Sequence, residues 1–250
     1  MVNNAAKANH FFAPFESKRM AASRKKNNPK VHADFAELTP EELRAPLLDA
    51  MLSHVPFDGW TSKALEHAAA DISVSNEMAE LSFPRGAIEM LEVHLDNANV
   101  LLAEKLATLD LPSMKIRDRI TLAVRTRLEQ NADTRETVRR GLFTLALPQN
   151  LALGSKALWN SADTMWRAAG DISTDHNWYT KRATLSAVYS AVLLFWLNDD
   201  SDEFSDTWAF LDRRIEDVMK IETAKYKLRQ SSANLPSISR FLGRLRYRGE

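Results

Sequence analysis

The stretch that decides the fold is DTMWRAAGDISTDHNWYTKRATLSAVYSAVLLFWL, residues 163–197. Gly170 is predicted to end one helix, because glycine adopts the left-handed conformation without steric cost. The polar run 171–175 then forms a turn in which Ser173 and Asp175 carry oxygens that can cap the next helix. A second helix is expected from about Asn177, and it is almost wholly apolar over residues 183–197. Such a helix is buried or lies against an apolar ligand. At ~1.5 Å per residue this part is about 22 Å long, which is short for a membrane span.

Composition favours an all-α chain with one domain of a little over 200 residues. The 250 residues include 33 basic and 33 acidic side chains, so no overall field attracts nucleic acid. No cysteine is present, which excludes disulfides, thiolate catalysis and cysteine-ligated zinc. Glycine occurs only seven times, and long segments are rich in Ala, Leu, Glu and Arg. We predict one helical domain over residues 34–230.

The helical chain is predicted to begin near Thr39. Thr39-Pro40-Glu41-Glu42 combines a cap residue, a first-turn proline and a glutamate three residues after the cap, which together mark a helix start. Further helices are expected at about 62–70, 75–81, 87–108, 113–130, 134–145, 151–169 and 205–229, where apolar residues recur at helical spacing.

The first three helices suggest a helix-turn-helix unit, whose usual function is DNA binding. The segment that would enter the groove is 71–81, which contains Asp71, Glu77 and Glu80 and no lysine or arginine. A helix that approaches phosphates normally brings basic side chains. We therefore favour a packing role for this segment over DNA binding.

The two ends of the chain differ from the middle. Residues 1–33 are basic, with Glu16 as the only acidic residue, and are predicted to form a disordered tail; an organelle transit peptide has the same character. Residues 231–250 are predicted to form a linker and a short amphipathic helix. Its membrane-facing side chains would be Ile238, Phe241, Leu242, Arg244 and Leu245. The alternative is a helix that docks on its own domain, or a frayed end.

Catalytic motifs are missing from the sequence. None of the six histidines stands in His-Glu-x-x-His or follows a glutamate by three residues, so the helical motif of di-iron proteins is excluded. No nucleophile elbow or phosphate-binding glycine loop occurs. His176 could act as an acid or base, but a lone loop histidine is more often structural. We predict no catalytic residue, no metal site and no cofactor, and hence a binding role.

The stretch 168–183 resembles the hallmark segment of a family of lipid-binding accessory proteins of ubiquinone biosynthesis, the coenzyme Q protein numbered nine. Further segments also resemble this family: Asp163-Thr164-Met165-Trp166, Leu185-Ser186-Ala187-Val188-Tyr189, and Asp206-Thr207-Trp208-Ala209-Phe210-Leu211 with Arg213-Arg214-Ile215. The resemblance covers roughly residues 38–230. It implies an all-α fold like that of TetR-type regulators, without DNA binding, in a homodimer that lies peripherally on a membrane. It also implies binding of isoprenoid quinone intermediates or phospholipid, and their presentation to the di-iron demethoxyubiquinone hydroxylase.

The family's partner-contact patch maps onto Asp163, Met165, Trp178, Tyr179 and Arg182. Trp178 and Arg182 are four residues apart and hence neighbours on one helix face, and Trp, Tyr and Arg are frequent interface anchors. The alternative is that the two aromatic residues cover the core at a helix start and that Met165 fills it.

The apolar helix offers the best wall for a lipid. Its candidate lipid-binding residues are Leu185, Val188, Tyr189 and Val192, although core packing uses the same residue types. The sequence thus predicts a TetR-like accessory protein. Its predicted location is cytoplasmic, on the periphery of a bacterial inner membrane. The alternative location is the matrix side of the mitochondrial inner membrane. The alternative function is a ligand-responsive, DNA-binding transcriptional regulator of the TetR type.

Overall fold

The computed structural model describes residues 35–174 and 176–233, and in this part of the chain it contains α-helices, short 3₁₀ turns and no strand. The predicted all-α fold is therefore confirmed. The nine helices of this part are α1 (Pro40–Asp58), α2 (Ser62–Asp71), α3 (Asn76–Ser82), α4 (Ala87–Ala107), α5 (Ile116–Glu129), α6 (Arg135–Leu145), α7 (Leu151–Ala168), α8 (His176–Trp196) and α9 (Ser205–Ala233).

The start of α1 follows directly from its sequence. The backbone N–H of Glu42 donates to Thr39 Oγ1 at 3.4 Å, and the backbone N–H of Thr39 donates to Glu42 Oε2 at 2.9 Å. This reciprocal pair is the predicted capping box, which satisfies two N–H groups that have no partner within the helix. Thr61 and Ser75 cap α2 and α3 more simply, with hydroxyls that accept hydrogen bonds from the backbone N–H groups of Ala64 and Met78.

The helices pack around two apolar clusters that α4 connects. The N-terminal cluster joins α1, α2, α3 and the first half of α4, with Leu145 of α6 at its edge. The C-terminal cluster joins the second half of α4 with α5, α7, α8 and α9, and Trp196 and Leu102 are wholly buried in it. Because α4 contributes to both clusters, it couples the helix-turn-helix-like part to the remainder of the bundle.

One face of α8 departs from the sequence expectation. Of the two predicted alternatives, burial does not hold for this face, where Ala183, Ala187 and Leu194 are exposed, Leu194 to 58%. The opposite face packs in the C-terminal cluster as predicted. In the part of the chain that the structure describes, no helix is both long and apolar enough to cross a lipid bilayer.

Two predicted features lie outside the described residues. They are the tail 1–33 and the membrane-facing residues Ile238, Phe241, Leu242, Arg244 and Leu245. Both stay predictions from the sequence.

Candidate functional site

The end of α7 is built around Gly170. Its φ of 87° lies in the left-handed region, its N–H donates to the Arg167 carbonyl at 3.0 Å, and the next N–H, of Asp171, donates to the Trp166 carbonyl at 3.0 Å. These two bonds form a Schellman motif, which ends a helix and satisfies carbonyls that would otherwise lack a partner. The predicted helix end is confirmed, and the chain turns back here to place α8 beside α7.

Asp171 anchors the connection between the two helices. Its carboxylate is almost fully buried and accepts hydrogen bonds from Ser173 Oγ at 2.8 Å, Lys181 Nζ at 2.7 Å and Arg182 Nη1 at 3.0 Å. The Ser173 hydroxyl, which we expected to cap α8, bonds to Asp171 and Lys181. Asp175, the other expected cap, lies outside the described residues. Asp171 and Ser173 therefore tie the turn to α8 through Lys181 and Arg182.

Burial alone would raise the pKa of Asp171, because an apolar environment disfavours the charged carboxylate. The hydrogen bonds from Lys181, Ser173 and Arg182 outweigh that effect and hold the pKa well below its usual range. Asp171 is therefore a carboxylate at neutral pH and supplies a fixed negative charge under the start of α8.

Arg182 occupies the centre of this network. Only 1% of its side chain is exposed, and its Nε donates to Asp163 Oδ1 on α7 at 2.5 Å. Its guanidinium also lies 4.2 Å from the ring centroid of Trp178, one turn earlier on α8. The predicted contact between these two residues is confirmed. Asp163 also forms an ion pair with Arg167, whose Nε lies 2.6 Å from Asp163 Oδ2. The network that joins α7, the turn and α8 thus contains two carboxylates, Asp163 and Asp171, and three basic residues, Arg167, Lys181 and Arg182.

Three aromatic side chains lie above this network. The ring of Trp178 contacts Trp159 of α7 at a centroid distance of 5.5 Å and Tyr179 at 4.7 Å, the latter edge-on. Tyr179 is 60% exposed, while Trp159 and Trp178 are half-buried. We call Trp159, Trp178 and Tyr179 the aromatic patch. Large aromatic groups that are held rigidly at a surface are typical anchors of protein interfaces.

The five predicted partner residues are thus close together but differ in exposure. Tyr179 is exposed, and Asp163 and Trp178 are partly exposed. Met165 is wholly buried in the core and Arg182 is buried in the network, so neither side chain is accessible to a partner in this structure. Their role in partner binding stays a prediction.

The sequence reasoning overlooked Trp159. It stands four residues before Asp163, one helical turn away, so the spacing on α7 already placed both on one face. A search along α7 at helical spacing from Asp163 would have found it.

The four predicted lipid residues lie in the C-terminal cluster. Leu185, Val188, Tyr189 and Val192 are all at least 92% buried, which is the core packing that the sequence also allowed. Tyr189 additionally lines a cavity of about 60 Å³ between α4, α5, α6 and α8. A larger cleft of about 400 Å³ lies between the end of α4 and the end of α7. It is lined mainly by alanines and leucines. Its wall on α7 consists of Thr164, Arg167 and Ala168, so the cleft lies next to Asp163.

One group of side chains has donors of the kind that bind metal ions. Ligand atoms of His54, Asp58 and His67 lie within 4.8 Å of one another on α1 and α2. Each already has a partner: His54 pairs with Asp71 at 2.7 Å, and Asp58 pairs with His67 at 3.0 Å and with Lys63 at 2.7 Å. Since the Lys63 ammonium neutralises the one carboxylate of the group, we assign it a role in joining α1 to α2.

The arrangement of the helices is of a known type. The structure is similar to a TetR transcriptional regulator from Nitrosomonas europaea, with a TM-score of 0.57 over 70% of this chain and 97% of that one. The sequence identity is 18%, so the likeness shows a TetR-like fold and no more.

The sequence relatives are more specific. Residues 151–222, which include the aromatic patch, match the model of the COQ9 family. The chain is 35% identical over 193 residues to the mitochondrial ubiquinone biosynthesis protein COQ9 of Homo sapiens, and 36% identical to that of Rattus norvegicus. Each alignment covers 74% of this chain, but the chain spans only 60% of the human and 62% of the rat protein. The predicted resemblance to the COQ9 family is therefore confirmed.

Proposed function

We propose that the chain is a non-enzymatic accessory protein of ubiquinone biosynthesis. In this role it binds an isoprenoid quinone precursor at a membrane and presents it to the demethoxyubiquinone hydroxylase. The observation that carries the proposal is the position of the aromatic patch: it lies inside the family match and directly above a buried charge network. The similar proteins of Homo sapiens and Rattus norvegicus are ubiquinone biosynthesis proteins, which supports a role in this pathway.

The patch is suited to a protein partner. Tyr179 offers an exposed ring, and Trp159 and Trp178 hold it in place through ring contacts. The hydrogen bonds of Arg182 and Lys181 fix the first turns of α8, so little conformational entropy remains to be lost when a partner binds. Asp163 adds a partly exposed carboxylate at the edge.

The cleft between α4 and α7 is suited to part of an isoprenoid chain. Its volume of about 400 Å³ falls in the range of small-molecule sites. Leu106 and Leu111 line it and also belong to the C-terminal cluster. The predicted lipid residues Leu185 and Val188 belong to that cluster too but do not line the cleft. Each buried CH₂ contributes about 0.8 kcal/mol relative to water. A bilayer stabilises each CH₂ of the tail to the same extent. We therefore expect the tail to move between two apolar environments at the membrane surface.

The regulator alternative receives no support from α3. Its exposed face carries Glu77, Glu80 and Leu81, and carboxylates on that face would repel phosphates. We therefore propose that the TetR-like fold serves ligand and partner binding in this chain.

The exposed strip on α8 supports the predicted homodimer. Ala183, Ala187 and Leu194 form an apolar line on one helix face, and small residues allow two helices to approach closely. For the location, the relatives are named mitochondrial, which favours the matrix side of the inner membrane over the bacterial alternative.

The experiment for lipid binding is native mass spectrometry after incubation with vesicles that contain demethoxyubiquinone. We expect the wild-type protein to retain the lipid. Ala107→Trp, which places a large ring in the cleft, should reduce the retained fraction at least fivefold. The matched control is Val100→Trp, an exposed position on the same helix outside the cleft. A wild-type protein that stays empty would contradict lipid binding, and equal retention by both variants would contradict the cleft assignment.

A further inference from the structure

Four polar side chains of α1 and α2 form a pattern that the proposed function does not use. His54 and Asp58 stand four residues apart at the end of α1, and His67 and Asp71 have the same spacing at the end of α2. Residues four apart lie on one face of a helix. Each helix therefore presents one imidazole and one carboxylate on the side that faces the other helix.

The four groups are paired across the two helices. His54 Nε2 lies 2.7 Å from Asp71 Oδ2, and His67 Nδ1 lies 3.0 Å from Asp58 Oδ2. The ring centroids of the two histidines are 5.3 Å apart. Ligand atoms of His54, Asp58 and His67 all lie within 4.8 Å of one another. In a tetrahedral zinc site with bonds of ~2.1 Å the ligand atoms are about 3.4 Å apart. Small side-chain rotations are therefore enough to place these three groups around one ion.

Both carboxylates stand where a helix disfavours negative charge. Asp58 is the last residue of α1 and Asp71 is the last residue of α2, and neither helix has a lysine or arginine in its last turn. The free carbonyl groups at the end of a helix carry partial negative charge, which nearby cations stabilise. A cation bound between α1 and α2 would therefore compensate both the carboxylates and the helix ends that carry them.

Lys63 leaves this position open to an ion. Its ammonium lies 2.7 Å from Asp58 Oδ1, while the oxygen that faces His67 is Oδ2. The Lys63 side chain is 65% exposed, and an exposed ion pair contributes little to stability. The side chains of His54, His67 and Asp71 are each between 24% and 55% exposed, so an ion can reach them from the solvent.

We propose that His54, Asp58 and His67 bind a zinc ion, with Asp71 as a supporting carboxylate beside His54. Two imidazoles and one carboxylate are a common zinc ligand set, and a three-ligand site keeps its fourth position for water. A ligating histidine commonly bonds to a carboxylate through its other ring nitrogen, and Asp71 is placed to do this for His54.

The bound ion would strengthen the connection between α1 and α2 that the two pairs already make. The site is independent of the proposed role in ubiquinone synthesis. It departs from the sequence expectation of no metal site, because each helix alone carries only one histidine and one carboxylate of the group.

Isothermal titration calorimetry with zinc chloride tests the site, on chelator-treated protein that carries no histidine tag. We expect zinc to bind at least about 100-fold more tightly than Mg²⁺, which prefers oxygen ligands. His67→Asn should lower the zinc affinity at least about 100-fold, and Asp71→Asn about tenfold. The matched control, Glu66→Gln, removes an exposed carboxylate from another face of α2 and should leave the affinity unchanged. No zinc binding, equal affinity for Mg²⁺, or full zinc affinity in His67→Asn would overturn the site.

Thermal melting shows whether the ion joins the two helices and whether the variants fold. Without zinc, His67→Asn should melt within about 4 °C of the wild type, because the pair that it removes lies at the surface. Saturating zinc should raise the melting temperature of the wild type but not of His67→Asn, since the ligands come together only in the folded protein. If His67→Asn does not fold, His54→Asn removes a ligand from the other helix and replaces it in both experiments. Zinc that binds without raising the melting temperature would contradict a bridge between α1 and α2.

Discussion

Replacing Arg182 with methionine is expected to lower the free energy of unfolding by about 3 kcal/mol. The side chain is 99% buried, and it bonds to Asp163 and Asp171 and lies over the ring of Trp178. Methionine has a similar length but no charge, so Asp171, itself 3% exposed, loses one of its hydrogen bonds inside the protein. Removing one partner of a buried pair costs more than the pair contributes, because the remaining charge is left in an apolar environment.

Urea unfolding followed by circular dichroism at 222 nm measures this loss. Arg167→Met is the matched control, since Arg167 also bonds to Asp163 but is 71% exposed. Exposed pairs contribute little, within about 1 kcal/mol. If the two variants lose the same free energy, the network around Arg182 does not hold α7 and α8 together as we describe.

The second large effect is expected in partner binding. Tyr179→Ala should weaken binding to the demethoxyubiquinone hydroxylase of the same organism at least 30-fold, or about 2 kcal/mol, which is typical of an interface anchor. The fold should be unaffected, because the ring is 60% exposed and its ring contacts are confined to the aromatic patch. Trp178→Ala should weaken binding as well, but it also uncovers Arg182 and is therefore expected to lower stability.

Surface plasmon resonance with immobilised hydroxylase measures this affinity. Phe57→Ala is the control, because Phe57 is an aromatic residue that is 82% exposed at the far end of α1. Unchanged affinity of Tyr179→Ala, or an equal loss in Phe57→Ala, would remove the aromatic patch from the interface.

Local signals in the sequence predicted the helices well. The capping box at Thr39 and the glycine at position 170 act through bonds that span six residues or fewer, so their outcome depends little on the remaining fold. The contact between Trp178 and Arg182 was predictable for the same reason, because helical spacing alone makes them neighbours.

Features that depend on tertiary packing escaped the sequence reasoning. Arginine is usually exposed, and nothing local shows that Asp163 and Asp171, 19 and 11 residues away, enclose Arg182. Arg127 lies in a helix rich in charged residues, a pattern typical of a solvated face, yet only 4% of the residue is exposed. The apolar composition of α8 likewise does not reveal which face is left exposed, because no polar residues mark it.

We propose that this chain supports the hydroxylation step of ubiquinone synthesis through its aromatic patch. The most direct measurement is the ratio of demethoxyubiquinone to ubiquinone, by liquid chromatography and mass spectrometry, in cells of the source organism that lack the chain. We expect the precursor to accumulate in these cells. The wild-type chain should restore a low ratio, and Tyr179→Ala at equal abundance should not. An unchanged ratio in cells without the chain would contradict the proposed function, and full rescue by Tyr179→Ala would contradict the role of the patch.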